Sequence, residues 1–315
     1  MSADARRARS GGPLAAPDAP LAVVVVSHNK REATLACLAS VARLEYRPRI
    51  VIVVDNASAD GSADAIATAH PEVHLVRSST NLGAVGGRNL GIRLASELAP
   101  GAHILFLDDD ALADERLAGE LMAALEADPR AGIVSPKAYR TGSDRILAGA
   151  GGMRVRLWRG HVAEVGAGMR DEGQFDQPAL RDACLGYAFL LRREALAAVG
   201  GFDEAYNPYG WEEVDFSLRV REAGYHIRYV PTALAYHAGT AAGRGHRVPG
   251  YERGKAANFP RLMRRHATRG ARLAFAMLLP LRALPLVAGA VRRGEWWRLR
   301  EGVAGLLQGL RGTGA

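Results

Sequence analysis

Three short stretches of this chain are apolar at consecutive positions: Leu21–Ser27 (LAVVVVS), 50–54 (IVIVV) and 104–107 (ILFL). A strand with one face in water alternates in polarity. An unbroken β-branched run of strand length belongs instead to a strand covered on both faces, and such strands occupy parallel sheets sandwiched by helices. The stretches between them have helical character: Leu35, Leu38 and Val41 recur at helical spacing, 61–69 reads as a short helix and 84–98 as a longer one, with a strand at 73–76. This alternation predicts an α/β fold with a mostly parallel central sheet flanked by helices. Past Pro136 the pattern loosens into a Gly-rich, antiparallel region (148–168) and a loop (171–178). A strand at 183–191, helices at 194–199 and 212–223 and a last strand at 226–230 follow.

Size and charge divide the chain further. Its 315 residues suit one large core plus an appendage. Residues 1–20 carry positive charge but no apolar centre, which reads as a disordered leader rather than a secretory signal. Residues 21–240 form the main domain and 241–315 a basic, amphipathic helical extension. From Arg244 onward there are 15 lysines and arginines against three acids, a net of +12, which leaves −4 for everything before it. So local a charge suits an anionic membrane surface better than nucleic acid, for which no reading motif is present. The apolar segment 272–291 is interrupted by Arg272, Arg282, Pro280 and Pro285 and does not make a spanning helix. Two readings stand: an interfacial segment on a membrane surface, or a helical hairpin packed on the domain or on a second copy. Cys37 and Cys184 are too few and too distant for a disulfide framework. A cytoplasmic protein, peripheral at the inner face of the cell membrane, is the expectation.

In parallel sheets ligands bind beyond the carboxyl ends of the strands, so the polar residues there matter most. They are Ser27-His28-Asn29, Asp55-Asn56 and Asp108-Asp109-Asp110. Three adjacent carboxylates repel one another unless a cation neutralises them, and a hard divalent ion holding a diphosphate does so. The competing reading of an acidic cluster is a helix cap, a role better suited to Asp114-Glu115. A second acidic group, Glu212, Glu213 and Asp215 after Trp211, is either catalytic or an acidic first helical turn favoured by the dipole. Asp215 and Arg219 stand at i,i+4 and can pair. Gly83, Gly86, Gly87 and Gly91 lack the spacing of a dinucleotide fingerprint, which argues against a dehydrogenase.

These pieces, in order VVVVSHNK, IVIVVDNASADGS, NLGAVGGRNLGI, ILFLDDDA and GYAFLLRREALAAVGGFDEAYNPYGWEEVDFSLRVREAGYHIRYVP with His237 after it, resemble glycosyltransferase family 2 of the GT-A fold. Within the family it resembles bacterial rhamnosyltransferases and galactofuranosyltransferases. The likeness runs from Val23 to His237. It implies that the main domain binds a dTDP- or UDP-sugar through Ser27, Asn29, Asp55, Arg88, Asn89, Asp108 and Asp109. Asp55 would meet the nucleobase. Asp110, Asp108 and His237 would hold Mn²⁺ or Mg²⁺. Trp211, Asp203 and Asp215 would line the acceptor site, Asp203 being either a contact or a turn cap. An inverting transfer needs a base for the acceptor hydroxyl. The resemblance implies Glu213, which stands where the family usually has Asp, with Glu212 as the alternative. The implied product is a rhamnosyl, galactofuranosyl or other hexosyl linkage on a glycan or lipid-linked acceptor. Two rivals remain: a degenerate member acting as a glycan-binding or scaffold subunit, and a sugar nucleotidyltransferase, whose Gly-rich N-terminal phosphate loop is absent from VVVVSHNKREAT.

Overall fold

The computed structural model describes residues 19–47, 50–143, 145–238 and 249–311. Nearly all of the expected leader, and residues 241–248 of the extension, lie outside these. Strands and helices alternate at the start: β1 (Leu21–Ser27), α1 (Arg31–Val41), β2 (Ile50–Asp55), α2 (Ser62–Ala69), β3 (His74–Arg77), α3 (Gly83–Leu98) and β4 (His103–Asp108). β1 pairs in parallel with β2 on one side and β4 on the other, and β2 pairs with β3. The chain therefore moves outward from β1 to β3 and then returns across β1. Strand order reverses between β1 and β4, which opens a crevice at their carboxyl ends. The register sets Ser27 beside Asp55 and Val26 beside Asp108, so all three strand-end polar groups meet there.

Leu21 through Val25 are wholly buried, as a doubly covered strand requires. Helix α3 lies across β1 and β2. Its glycines make that approach possible: a Cβ at Gly87 would run into Val26 and one at Gly91 into Val24.

The rest of the sheet is mixed. The elements from Ala111 to His237 are β5 (Ala111–Ala113), α4 (Leu117–Glu126), β6 (Ala131–Arg140), β7 (Leu147–Ala150), β8 (Met153–Arg156), β9 (His161–Glu164), β10 (Ala179–Arg181), β11 (Ala188–Leu191), α5 (Arg193–Val199), α6 (Glu212–Glu222) and β12 (His226–His237). β11 runs antiparallel between β4 and β6, and β12 lies parallel to β6. β8 and β9 form a separate antiparallel hairpin. The loosening read at Pro136 is not the end of a strand, since β6 continues through it. On one edge of β6 the pairing with β11 ends at Val134 and that with β7 starts at Lys137, so Pro136 interrupts neither, and on the other edge it stands opposite Val230 of β12 at a register shift. β12 is longer than the sequence suggested and carries His237 to the crevice. Phe106 of β4 stacks on Phe189 of β11 at 4.9 Å, and Phe202 on Phe216 of α6 at 4.3 Å, which locks the second half onto the first.

Three helices follow: α7 (Pro249–His266), α8 (Arg269–Arg293) and α9 (Trp296–Arg311). Leu262 of α7 belongs to the main core. α9 lies along α7, with Gly305 and Gly309 against the backbone of Arg253 and Ala257. α8 runs unbroken through Pro280 and Pro285 and is largely uncovered, with Leu273, Met277, Leu281 and Leu284 between 64% and 72% exposed. The segment 272–291 therefore lies within one open helix, α8, while α7 and α9 pack on the domain and on each other. No helix among the described residues is long and apolar enough to cross a membrane.

Candidate active site

The three aspartates leave β4 pointing to different partners. Asp108 accepts from Arg88 Nη2 at 3.1 Å. More than a third of its side chain stays open, yet it sits deep enough that desolvation raises its pKa. Asp109 is buried and accepts from Lys30 Nζ at 2.8 Å and from the His28 backbone N–H at 3.4 Å. Burial pushes Asp109 up to about 6 against the pull of Lys30. Asp110 shares Lys30 Nζ at 2.9 Å and meets His237 Nε2 at 3.1 Å. Burial opposes its charge, but the His237 contact and Lys30 outweigh that and hold it far below the usual carboxylate range. For His237 the same contact and the nearby Asp108 overcome burial and raise its pKa. Its ring stacks on Tyr187 at 4.5 Å, which fixes the imidazole plane. Ligand atoms of Asp108, Asp110 and His237 all lie within 4.8 Å of one another, and their oxygen and imidazole donors suit Mn²⁺ or Mg²⁺.

Arg88 joins this cluster to the second acidic group. Its buried guanidinium gives Nη1 to Glu213 Oε1 at 3.0 Å and Nη2 to Asp108 and to the Gly186 carbonyl at 3.3 Å, with Glu212 Oε1 at 3.9 Å. Gly186 is needed here, because a Cβ would collide with Glu213 Oε1 and Arg88 Nη2. The two glutamates differ. Glu212 is buried and accepts from the Gly210 N–H, and burial beside Glu213 holds its pKa well above the carboxylate range. Glu213 is the more open, with Arg88 orienting its carboxylate. Trp211, in the left-handed region at φ 73°, turns the chain into α6 and donates its indole N–H to the Lys255 carbonyl at 2.8 Å.

Asp55 is buried beneath the end of β2. One oxygen accepts from Ser58 N at 3.3 Å, and Oδ1 has no partner among the described residues. Asn29, at φ 51°, ties the β1 loop to the β2 loop through Ala59 N at 2.7 Å and Ser58 Oγ at 3.0 Å.

Four residues assigned to the site by resemblance make other contacts, and for Asp203 and Asp215 these are the turn cap and the Arg219 pair that the sequence left open. Ser27 is fully buried with its hydroxyl on Thr34 at 2.7 Å, so no ligand reaches it. Asn89 spends its amide on both backbone groups of Phe202, at 2.8 and 2.9 Å, and on Glu204, clamping the Gly-Gly-Phe turn to α3. Asp203 caps the 3₁₀ turn Glu204–Tyr206 through Ala205 N and pairs with Arg265. Asp215, in the first turn of α6, is fully buried and held by Arg219 at 2.8 Å, the i,i+4 pair the sequence offered, by His266 at 2.9 Å and by Tyr206 at 3.3 Å. Conversely, sequence reasoning overlooked Lys30 and Asn258. Lys30 was legible once β1 and β4 are neighbours, since residues just past both strand ends must meet. Asn258 of α7 donates to the carbonyls of Tyr206, Tyr209 and Gly210, at 3.0 to 3.3 Å, and so holds the loop leading to Glu212. No local signal marks it.

A mixed sheet whose reversal point gathers strand-end carboxylates, a His and a separate acidic turn defines a nucleotide-sugar glycosyltransferase of the GT-A fold. Residues 22–200 match the model of glycosyl transferase family 2, and the chain belongs to that family. Residues 173–240 also match the N-terminal domain of galactosyltransferase. Among curated relatives, N-acetylglucosaminyl-diphospho-decaprenol L-rhamnosyltransferase of Mycobacterium tuberculosis is 30% identical over 244 residues, covering 71% of this chain and 78% of the relative. The Erwinia amylovora amylovoran biosynthesis glycosyltransferase AmsB is 26% identical over 247 residues, covering 73% of each. Two solved structures share the fold. A mannosyltransferase from Pyrobaculum calidifontis with GDP-Man and Mn²⁺ has TM-score 0.57 and 19% identity, covering 99% of this chain and 94% of that one. GalNAc-T7 with UDP, GalNAc and Mn²⁺ has TM-score 0.59 and 18% identity, covering 78% and 48%.

Proposed function

We propose that this enzyme moves a sugar, with inversion, from a dTDP- or UDP-sugar to a glycan or lipid-linked acceptor in cell-surface polysaccharide synthesis, with rhamnose as the favoured donor sugar. The observation that carries the reading is Arg88, which bridges Asp108 of the nucleotide side and Glu213 of the acidic turn with one guanidinium. Donor and acceptor chemistry thus meet at a single buried cation. Asp55 Oδ1, buried without a partner among the described residues, suits a pyrimidine N–H. Asp108, Asp110 and His237 would hold Mn²⁺ or Mg²⁺, which supplies positive charge to the departing diphosphate. Glu213 takes the proton of the attacking hydroxyl. Glu212, tied to Gly210, shapes the loop instead. The rhamnosyltransferase relative, whose name specifies a polyprenyl-diphosphate-linked acceptor, supports the donor and acceptor choice.

The same reading puts the enzyme at the inner membrane face. The uncovered apolar stripe of α8, flanked by Arg269, Arg272, Arg292 and Arg293, would rest on anionic lipid, while Trp211, Phe259 and Phe275 form a chain of rings 5.6 and 5.4 Å apart from the acidic turn to α8. The test is release of UDP or dTDP from a donor panel with Mn²⁺ and an acceptor extract. Wild type should turn over, and Asp110→Asn and Glu213→Gln should lose at least about a hundredfold, the scale of general-base catalysis. Full activity in Glu213→Gln would sink the assignment of the base. Failure of the wild type to bind any donor by calorimetry would favour the glycan-binding scaffold.

A further inference from the structure

Lys30 takes no part in the reading above, yet it touches the centre of the site. It follows β1 at the start of α1, and its ammonium lies 2.8 Å from Asp109 Oδ1 and 2.9 Å from Asp110 Oδ2. Asp110 is also one of the three residues able to converge on a divalent ion. Its other oxygen meets His237 at 3.1 Å. Lys30 and a metal ion therefore compete for one carboxylate, and as like charges they repel. His237 must first give up the proton it shares with Asp110, and as a neutral imidazole it then adds a ligand rather than a like charge.

The conflict has a physical resolution. A lysine is a point charge on a flexible four-carbon stem, and nearly half of this side chain (47%) is exposed, so its head is free to swing. A diphosphate entering beside Asp110 brings two negative groups and accepts readily from an ammonium. Lys30 can then leave Asp110 for the phosphates, and the carboxylate becomes available to the metal. Asp109, held in addition by the His28 N–H, keeps its place through the exchange.

We propose that Lys30 is a resident counter-ion that makes divalent-metal binding at Asp108, Asp110 and His237 conditional on a nucleoside diphosphate. The inference rests on the metal site proposed above. Because binding free energies are reciprocal, the metal must strengthen nucleotide binding by the factor with which nucleotide strengthens metal binding, on the order of 5- to 150-fold for such couplings.

The experiment measures Mn²⁺ binding to the full chain by the EPR signal of the free ion, alone and with UDP or dTDP, for wild type, Lys30→Met and Lys30→Arg. Thermal unfolding checks that each variant is folded. Wild type should bind Mn²⁺ weakly alone and much more tightly with nucleotide. Lys30→Met should bind Mn²⁺ alone about tenfold or more tightly than wild type and lose most of the enhancement by nucleotide. Lys30→Arg, which keeps the charge, should retain the enhancement. Unchanged or weaker Mn²⁺ binding by Lys30→Met, with wild type still binding Mn²⁺ in the presence of nucleotide, overturns this inference alone. No Mn²⁺ binding by any form under any condition overturns the proposed metal site with it.

Discussion

Replacing Arg88 with Met removes a single cation that faces three carboxylates. The substitution keeps most of the side-chain volume, so the loss is electrostatic. Each contact at 3.0 to 3.1 Å would be worth about 5 kcal/mol at an effective dielectric near 20, and the desolvation of the guanidinium offsets much of that. Breaking a buried pair from one side costs about 3–5 kcal/mol. Asp108 and Glu213 are partly open to water, which screens them and argues for the low end, about 3 kcal/mol. For a domain of this size that lowers the melting temperature by roughly 6–12 °C. The sign of the pH dependence follows from burial. Without Arg88, Glu212 and Asp108, both already raised, rise further, so the folded state binds protons that the unfolded state releases. Stability then falls as pH rises, and the deficit against wild type should be larger at pH 8 than at pH 5.5. Circular-dichroism melts of wild type, Arg88→Met and Arg88→Lys at both pH values test this. Arg88→Lys keeps the charge but loses the fork, so it should recover part of the deficit. A melting temperature for Arg88→Met within 2 °C of wild type, or a deficit that grows at low pH, would refute the reasoning.

Two further predictions concern the extension. His266 lies between Asp215 and Glu222; burial lowers its pKa, but those two partners outweigh that and raise it. Its stabilising effect is therefore complete below about pH 6.5 and lost as pH climbs through the raised value. His266→Gln should flatten that slope in urea unfolding measured from pH 5.5 to 8.5, and an unaltered slope would remove His266 as its source. On α8, Met277→Glu with Leu281→Glu should abolish sedimentation with anionic liposomes while leaving the melting temperature within about 2 °C, since both side chains are exposed. Sedimentation equal to wild type would exclude α8 as the lipid-facing surface. Deleting the whole extension would not serve, because it also strips Asn258 from the loop before Glu212 and His266 from α6.

The strand half of the fold was legible because double burial leaves a one-dimensional mark: LAVVVVS, IVIVV and ILFL can hardly be anything but covered strands. The acids after them were legible for the same reason, as strand ends in a parallel sheet converge. What was not legible depends on pairs far apart in the chain. Arg88 and Glu213 are 125 residues apart, and nothing in either neighbourhood announces the other. Asp215 and Arg219 were visible as an i,i+4 pair, but whether that pair faced solvent, acceptor or core depended on α7, which packs against α6 and closes over it. Ser27 shows the opposite error. Its position at a strand end was right, and its side chain alternates inward onto Thr34.

The bracing of residues 206–210 by Asn258 has a consequence for how the enzyme comes into being. A chain emerging from the ribosome has made every strand of the sheet before α7 appears. The loop that leads into Glu212 and Glu213 must wait until α7 has left the exit tunnel before its three carbonyls are held. The turn into α6 is therefore braced late in synthesis, well after the strands of the sheet are made. A chain that has not yet made α7 lacks the Asn258 amide for the carbonyls of Tyr206, Tyr209 and Gly210 and the His266 partner of Asp215, so the acidic turn is the last part of the crevice to be braced.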